Sequence, residues 1–267
     1  DVFAGMAREA ILDVNGDGAF GKEDNYGYVG GANMLLMNFV TAARSRTIER
    51  TDDGAKIALL TNTRIADVCE KVGATVYETG FWYTKSVSSN DYFLTDTFFQ
   101  DDQALFADHT FYSACLLRDM ASDFGIIPFP KYDEAQDGYR SMDWGGLAGI
   151  PASIQNPEMI GAVTELLAYE SADTVIPAYY DVLLAGKLAR DEDSTKMLDI
   201  LFDTIAYEPG VFLSGSDTGI SNLLYTASNV VQSNQTDFAS YYAKQETSAK
   251  KAIDKFYESL DKLEAGN

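Results

Sequence analysis

The sequence predicts an α/β protein. Short aromatic and apolar runs such as Tyr26–Val29 and Ala104–Phe106 alternate with longer stretches whose apolar residues recur at helical spacing, as in Thr63–Val76. The chain has 267 residues, 46% hydrophobic and 12% aromatic, enough to fill the core of one large domain or two lobes. It holds no apolar run long enough to cross a bilayer.

Taken in order, Phe3–Leu12 reads as an amphipathic helix and Tyr26–Val29 as a strand. Asn33–Ala43 reads as an apolar helix and Ile57–Leu60 as a short strand. Thr63–Val76 places Ile65, Val68, Cys69 and Val72 on one helical face. Asp91–Gln100 is aromatic and predicts a helix turning into a loop; Ala104–Phe106 predicts a strand and Thr110–Ser122 a helix. Phe124–Lys131 reads as an apolar strand closed by Pro128 and Pro130, and Asp143–Ile150 as a Trp/Gly-rich strand that Pro151 ends. Helices are expected over Pro157–Ser171, with Pro157 in its first turn, and over Pro177–Leu188 and Asp193–Ile205. Gly219–Gln232 and Asp237–Leu263 complete the chain as terminal helices, the last with the mixed charges of an exposed face. Arg190-Asp191-Glu192 reads as a solvated turn.

Forty-one acids against twenty Lys and Arg give a net charge of −21. That argues against nucleic acid as partner, since a phosphate binder must present basic surface, and against an anionic membrane held by a basic patch. The single histidine, His109, excludes a multi-histidine metal site. No G-x-S-x-G, P-loop or G-x-G-x-x-G is present, and Gly27–Gly31 reads as a strand end and turn. Two cysteines, Cys69 and Cys115, are too few for a disulfide framework and are expected as buried thiols. The chain opens on Asp1 with neither Met nor a signal peptide, so Asp1 is expected to be an internal cut point.

One short motif carries chemistry. From Asp13 to Asp24, oxygen-bearing side chains stand at positions one, three, five and twelve (Asp13, Asn15, Asp17, Asp24), with Gly18 at position six. Ca²⁺ takes about six to eight oxygens at about 2.3–2.6 Å, and such a loop can wrap one, with the Ala19 carbonyl at position seven. Asp24 replaces the usual bidentate Glu and is one methylene shorter. The same residues are common turn formers, so a metal-free Asn/Asp/Gly turn is the alternative. A structural Ca²⁺ is the expected cofactor.

The order of segments resembles the family 1 extracellular solute-binding proteins of ABC sugar importers. The resemblance rests on the helix–NGDG–Tyr-Gly opening, on FFQDDQALF (Phe98–Phe106), and on Leu117-Arg118-Asp119-Met120. It continues through FGIIPFPKYDEAQDGY (Phe124–Tyr139), WGGLAGIP (Trp144–Pro151) and the stretch from Glu170 to Ile200. It implies a type II periplasmic-binding-protein-like fold: two α/β lobes joined by hinge strands, with ligand held in the cleft. By this resemblance the chain holds most of the C-terminal lobe, in residues 1–145 and 190–267. Residues 146–189 would cross to the N-terminal lobe and return. The full-length protein would be a cell-surface lipoprotein working with a membrane permease.

The resemblance also places the ligand site just after the Ala104–Phe106 strand, at Asp108, His109, Phe111 and Tyr112. Trp144 at the hinge and Trp82 in the GFWYTK cluster are further stacking candidates. A pyranose needs an aromatic face and planar polar partners, which these residues supply. The implied function is non-catalytic capture of an oligosaccharide or similar polar solute by hinge closure. The alternatives are a secreted glycoside hydrolase, which needs two carboxylates about 5–10 Å apart, and a dockerin-like interaction module.

Overall fold

The computed structural model describes residues 1–46, 48–51, 54–57, 63–83, 97–143, 149–151, 153–181, 184, 191–208, 230 and 237–265. The protein is mixed α/β with small parallel sheets. Its centre is a three-stranded parallel sheet of β1 (Tyr26–Val29), β4 (Trp82–Tyr83) and β5 (Ala104–Ala107) in the order β4-β1-β5. Tyr28 stands opposite Trp82 and Phe106, and Val29 opposite Tyr83 and Ala107. All four β1 residues are buried, as expected of a central parallel strand covered on both faces.

The main core packs this sheet against α1 (Val2–Glu9), α2 (Ala32–Ala42), α3 (Thr63–Val76) and the long terminal helix α7 (Phe238–Ala265). Leu36, Ile65, Phe81 and Tyr242 are buried there, and Phe3 meets the rings of Tyr28, Phe39, Phe81 and Phe106. Each fully buried side chain of this size contributes about 1.5–3 kcal/mol. A second cluster holds Tyr26, Val29 and Phe98, with Phe20 and Tyr83 packed against them. A third, smaller one joins α4 (Phe111–Leu116) to α6 (Glu192–Asp203) through Ala114, Leu184 and Leu198.

The two other sheets are small. β2 (Ile48–Thr51) and β3 (Gly54–Ile57) form an antiparallel hairpin, so strand structure precedes the expected start at Ile57; 58–60 lie outside the described residues. β6 (Ser141–Asp143) pairs in parallel with β7 (Ile205–Tyr207). The helix expected to run to Ile205 stops at Asp203, because Ile205 enters this ladder.

Helix starts follow their caps. Asn156 accepts the Met159 N–H at 3.1 Å and Pro157 opens α5 (Pro157–Asp173). Asp191 is the N-cap of α6 rather than part of a free turn, accepting the Ser194 N–H at 2.6 Å. Asp237 caps α7 through the Ser240 N–H at 2.9 Å.

Three further expectations are corrected. Phe124–Lys131 forms no strand. Pro128 and Pro130 remove two ladder donors, and the Ile126 N–H donates to the Ser194 hydroxyl at 3.3 Å instead. The helix expected to reach Ser122 ends at Leu116 and passes into a 3₁₀ turn at Leu117–Asp119, beyond which no side chain is buried until Phe124. The first helix ends at Glu9, and Leu12 instead forms an antiparallel bridge with Asn25 that closes the acidic loop between them.

Beyond Val175–Pro177, residues 178–181 and 184 are π-helical, and residues 97–100 are helical. The expected segments 91–96, 144–148 and 219–229 lie outside the described residues, and Trp144 with them. Cys69 is a buried free thiol, its pKa raised by burial, while the Cys115 side chain lies outside the described set. Among the described residues, no helix is long and apolar enough to cross a membrane.

Candidate functional site

The three strands of the central sheet run the same way, so their C-terminal ends open on one edge. Parallel sheets place ligands at that edge. Here β1 leads into Gly30-Gly31 and then α2, while β5 leads into Asp108 and His109. The ladder carries on past the strand ends: the Gly30 N–H donates to the Tyr83 carbonyl at 3.4 Å and the Asp108 N–H to the Val29 carbonyl at 3.1 Å.

Asp108 turns inward from this edge and is buried. Its Oδ2 accepts from the Asn38 amide of α2 at 3.2 Å. Its Oδ1 has no partner in full hydrogen-bonding geometry, and the buried Tyr28 hydroxyl beside it has none either. Burial pushes the carboxyl up to about 6, against the pull of His109, the Tyr28 hydroxyl, Asn38 and the Gly31 N–H. Burial and the nearby carboxylate raise the Tyr28 phenol as well. The carboxyl fits because residue 30 is glycine: a Cβ there would collide with Asp108 Oδ1 and lie 2.8 Å from the Tyr28 hydroxyl.

The other ligand candidates divide. His109 is half-buried next to Asp108 at the edge. Trp82 is half-buried, packs on the main core, donates its indole N–H to the Gly30 carbonyl at 3.2 Å and meets Tyr77 edge-on at 6.4 Å. Phe111 stacks on Phe202 at 5.2 Å and 6°, so that ring contact packs α4 against α6. Tyr112 is 66% exposed on α4. The structure thus brings Trp82, Asp108 and His109 to one edge with the Gly30-Gly31 turn. Asn38 and Tyr28 belong to this group and are missing from the sequence reading. The signal for Asn38 is a polar residue set among Leu36, Met37, Phe39 and Val40 in the middle of α2.

The Asp13–Asp24 loop is knit by its own carboxylates. Asp13 accepts the N–H groups of Gly16 at 2.7 Å and Gly18 at 2.8 Å; Asn15 accepts from Asp17 at 2.9 Å and Asp17 from Ala19 at 2.8 Å. Gly16 and Gly18 adopt φ of 72° and 79°, which lets the loop turn inward. Asp24 is fully buried and ties the two ends, accepting from Val14 at 2.9 Å and Gly21 at 2.7 Å. Each accepting oxygen keeps a further lone pair. Among the described residues, acids, His and Cys alone do not converge in threes as a metal set. A Ca²⁺ here would draw on Asp13, Asn15, Asp17, the Ala19 carbonyl and Asp24, two of whose donors are an amide and a peptide oxygen.

A hollow of about 580 Å³, open mouth included, lies elsewhere, among Phe3, Phe39, Val72, Phe81 and Tyr132; none of the candidate ligand residues lines it. No family model, curated protein or solved structure matches the chain.

Proposed function

We propose that the chain is part of a solute-binding component of an ABC importer, capturing an oligosaccharide or a similar polar solute. The carrying observation is the convergence of Trp82, Asp108 and His109 with the Gly30-Gly31 turn at the C-terminal edge of the parallel sheet. A half-buried indole and a half-buried imidazole at this edge are groups that sugar recognition uses, with the buried Asp108 carboxyl behind them. Capture works by closure: a second wall meets the ligand, and the closed state is selected by contacts that exist only when both walls touch it.

A second observation supports the two-lobe part of this reading. Helix α5, in the proposed crossover segment 146–189, buries none of its residues, and Met159, Val163, Leu166 and Leu167 are 49–63% exposed. These four share one helical stripe, the pattern of a helix that packs on something. The N-terminal lobe would cover it. The loop at Asp13–Asp24 would hold Ca²⁺ as a structural ion, and the protein would act outside the cell.

Tryptophan fluorescence tests the site. In a two-lobe protein that supplies the second wall, titration with gluco-, xylo- and galacto-oligosaccharides should perturb the emission, and Trp82→Phe should diminish that change. Turnover of any of these sugars that disappears in Asp108→Asn would replace the binding reading with a glycoside hydrolase.

A further inference from the structure

Three arginines lie within electrostatic reach of one another at the opposite end of α2 from the sheet-edge site. Arg44 and Arg46 follow the helix C-terminus. The segment 136–142 runs alongside: Arg44 donates to the Asp137 carbonyl, and the Thr41 hydroxyl meets Met142 Sδ at 3.5 Å. Arg140 lies between those two contacts. Gln136 fixes the segment, donating to the Ala42 carbonyl at 2.8 Å and the Gly138 carbonyl at 2.9 Å.

The ordinary reason for cations here is to cap the helix. That need is already met. The Phe39, Val40 and Thr41 carbonyls accept from the N–H groups of Ala43, Ser45 and Arg44 at 2.9, 3.1 and 2.8 Å, and Gln136 takes Ala42. No guanidinium is required by the last turn. Arg44 also holds φ of 57°, the left-handed conformation that glycine takes without penalty, so a side chain is kept where the backbone favours none. Close by, the Ser45 hydroxyl is buried without a hydrogen-bond partner.

Arg140 is held below its usual range by burial and then by Arg46 and Arg44, with Glu208 opposing. Asp137 faces Arg44 at 3.9 Å. Among the described residues, three positive groups stand against these two carboxylates.

We propose that Arg44, Arg46 and Arg140 form a binding site for a tetrahedral oxyanion, phosphate or sulfate. Guanidinium forks match such oxygens in pairs, which ammonium groups do not. The site is separate from the sheet edge and does not depend on the sugar reading.

Calorimetric titration with inorganic phosphate at low ionic strength tests it. Saturable one-to-one binding is expected, with Arg46→Ala and Arg140→Ala each at least tenfold weaker. Arg64→Ala, which removes a cation paired with Asp133, should bind as wild type. Arg140→Lys keeps the charge without the fork and should also weaken binding, and it serves if the alanine variants fold poorly. Melting without phosphate should be unchanged or higher in Arg140→Ala, since a like charge is relieved. Glycerol 3-phosphate and sulfate run in parallel assign the source to a phosphoryl ester, free phosphate or sulfate by which binds tightest. No saturable binding to any of the three, or equal weakening in Arg64→Ala, would overturn the site.

Discussion

Asp108 occupies the space that a side chain on Gly30 would take, with its Oδ1 where a Cβ on residue 30 would stand. Asp108 can take this place only because residue 30 is glycine. Gly30→Ala should therefore cost about 3 kcal/mol through overpacking next to a buried carboxyl. Adding Asp108→Ala should restore part of that loss, and urea unfolding of the two single variants and the double variant measures the coupling.

The same carboxyl sets a pH dependence. Its folded pKa of about 6 lies above the ordinary value of 3.8, so the protonated form is favoured in the fold. The stability it contributes is full below the ordinary value and is lost as pH rises through about 6. The difference amounts to roughly 2–3 kcal/mol. Asp108→Asn should flatten the wild-type decline between about pH 4 and 6 and be the more stable protein at pH 7.5. Denaturant midpoints for both proteins across that range decide it; parallel curves would place the carboxyl in water.

Calcium should stabilise the chain. An ion that binds only the folded loop adds about 3 kcal/mol at a hundredfold excess over its Kd, roughly 5–10 °C in Tm for a chain of this size. Asp17→Ala should remove the response. A melting temperature indifferent to calcium and to chelator would leave the loop as a turn closed by Asp13 and Asp24.

The stripe on α5 gives a contrast between contexts. Leu166→Ser should change the stability of this chain by less than about 0.5 kcal/mol, because Leu166 is 57% exposed. In a two-lobe protein the same change should cost about 2 kcal/mol or more, the loss expected for a covered leucine. Chemical unfolding of the variant in each protein reads the difference.

Local features were the legible ones. Thr63–Val76 has the bounds its apolar spacing gives, and Tyr26–Val29 is the strand its residues indicate. The acidic loop could be read because its partners lie within twelve positions. What escaped depends on distant pairing. The three-residue β7 exists only because Ser141–Asp143 lies beside it. Phe124–Lys131 reads as a strand from composition, yet its prolines leave it no ladder. The contact of Asp108 with Asn38, 70 residues away, needs the parallel register of β1 and β5 before it can be seen.

The most direct test of the solute-binding reading is calorimetric titration of one oligosaccharide panel into this chain and into a two-lobe protein that supplies the second wall. Closure gains affinity only when both walls touch the ligand. The expected result is weak or undetectable binding here and a Kd of about 1 μM or tighter, about −8 kcal/mol, in the two-lobe protein. Equal affinity in both would contradict the account, because the sheet edge of this chain alone would then be the complete site.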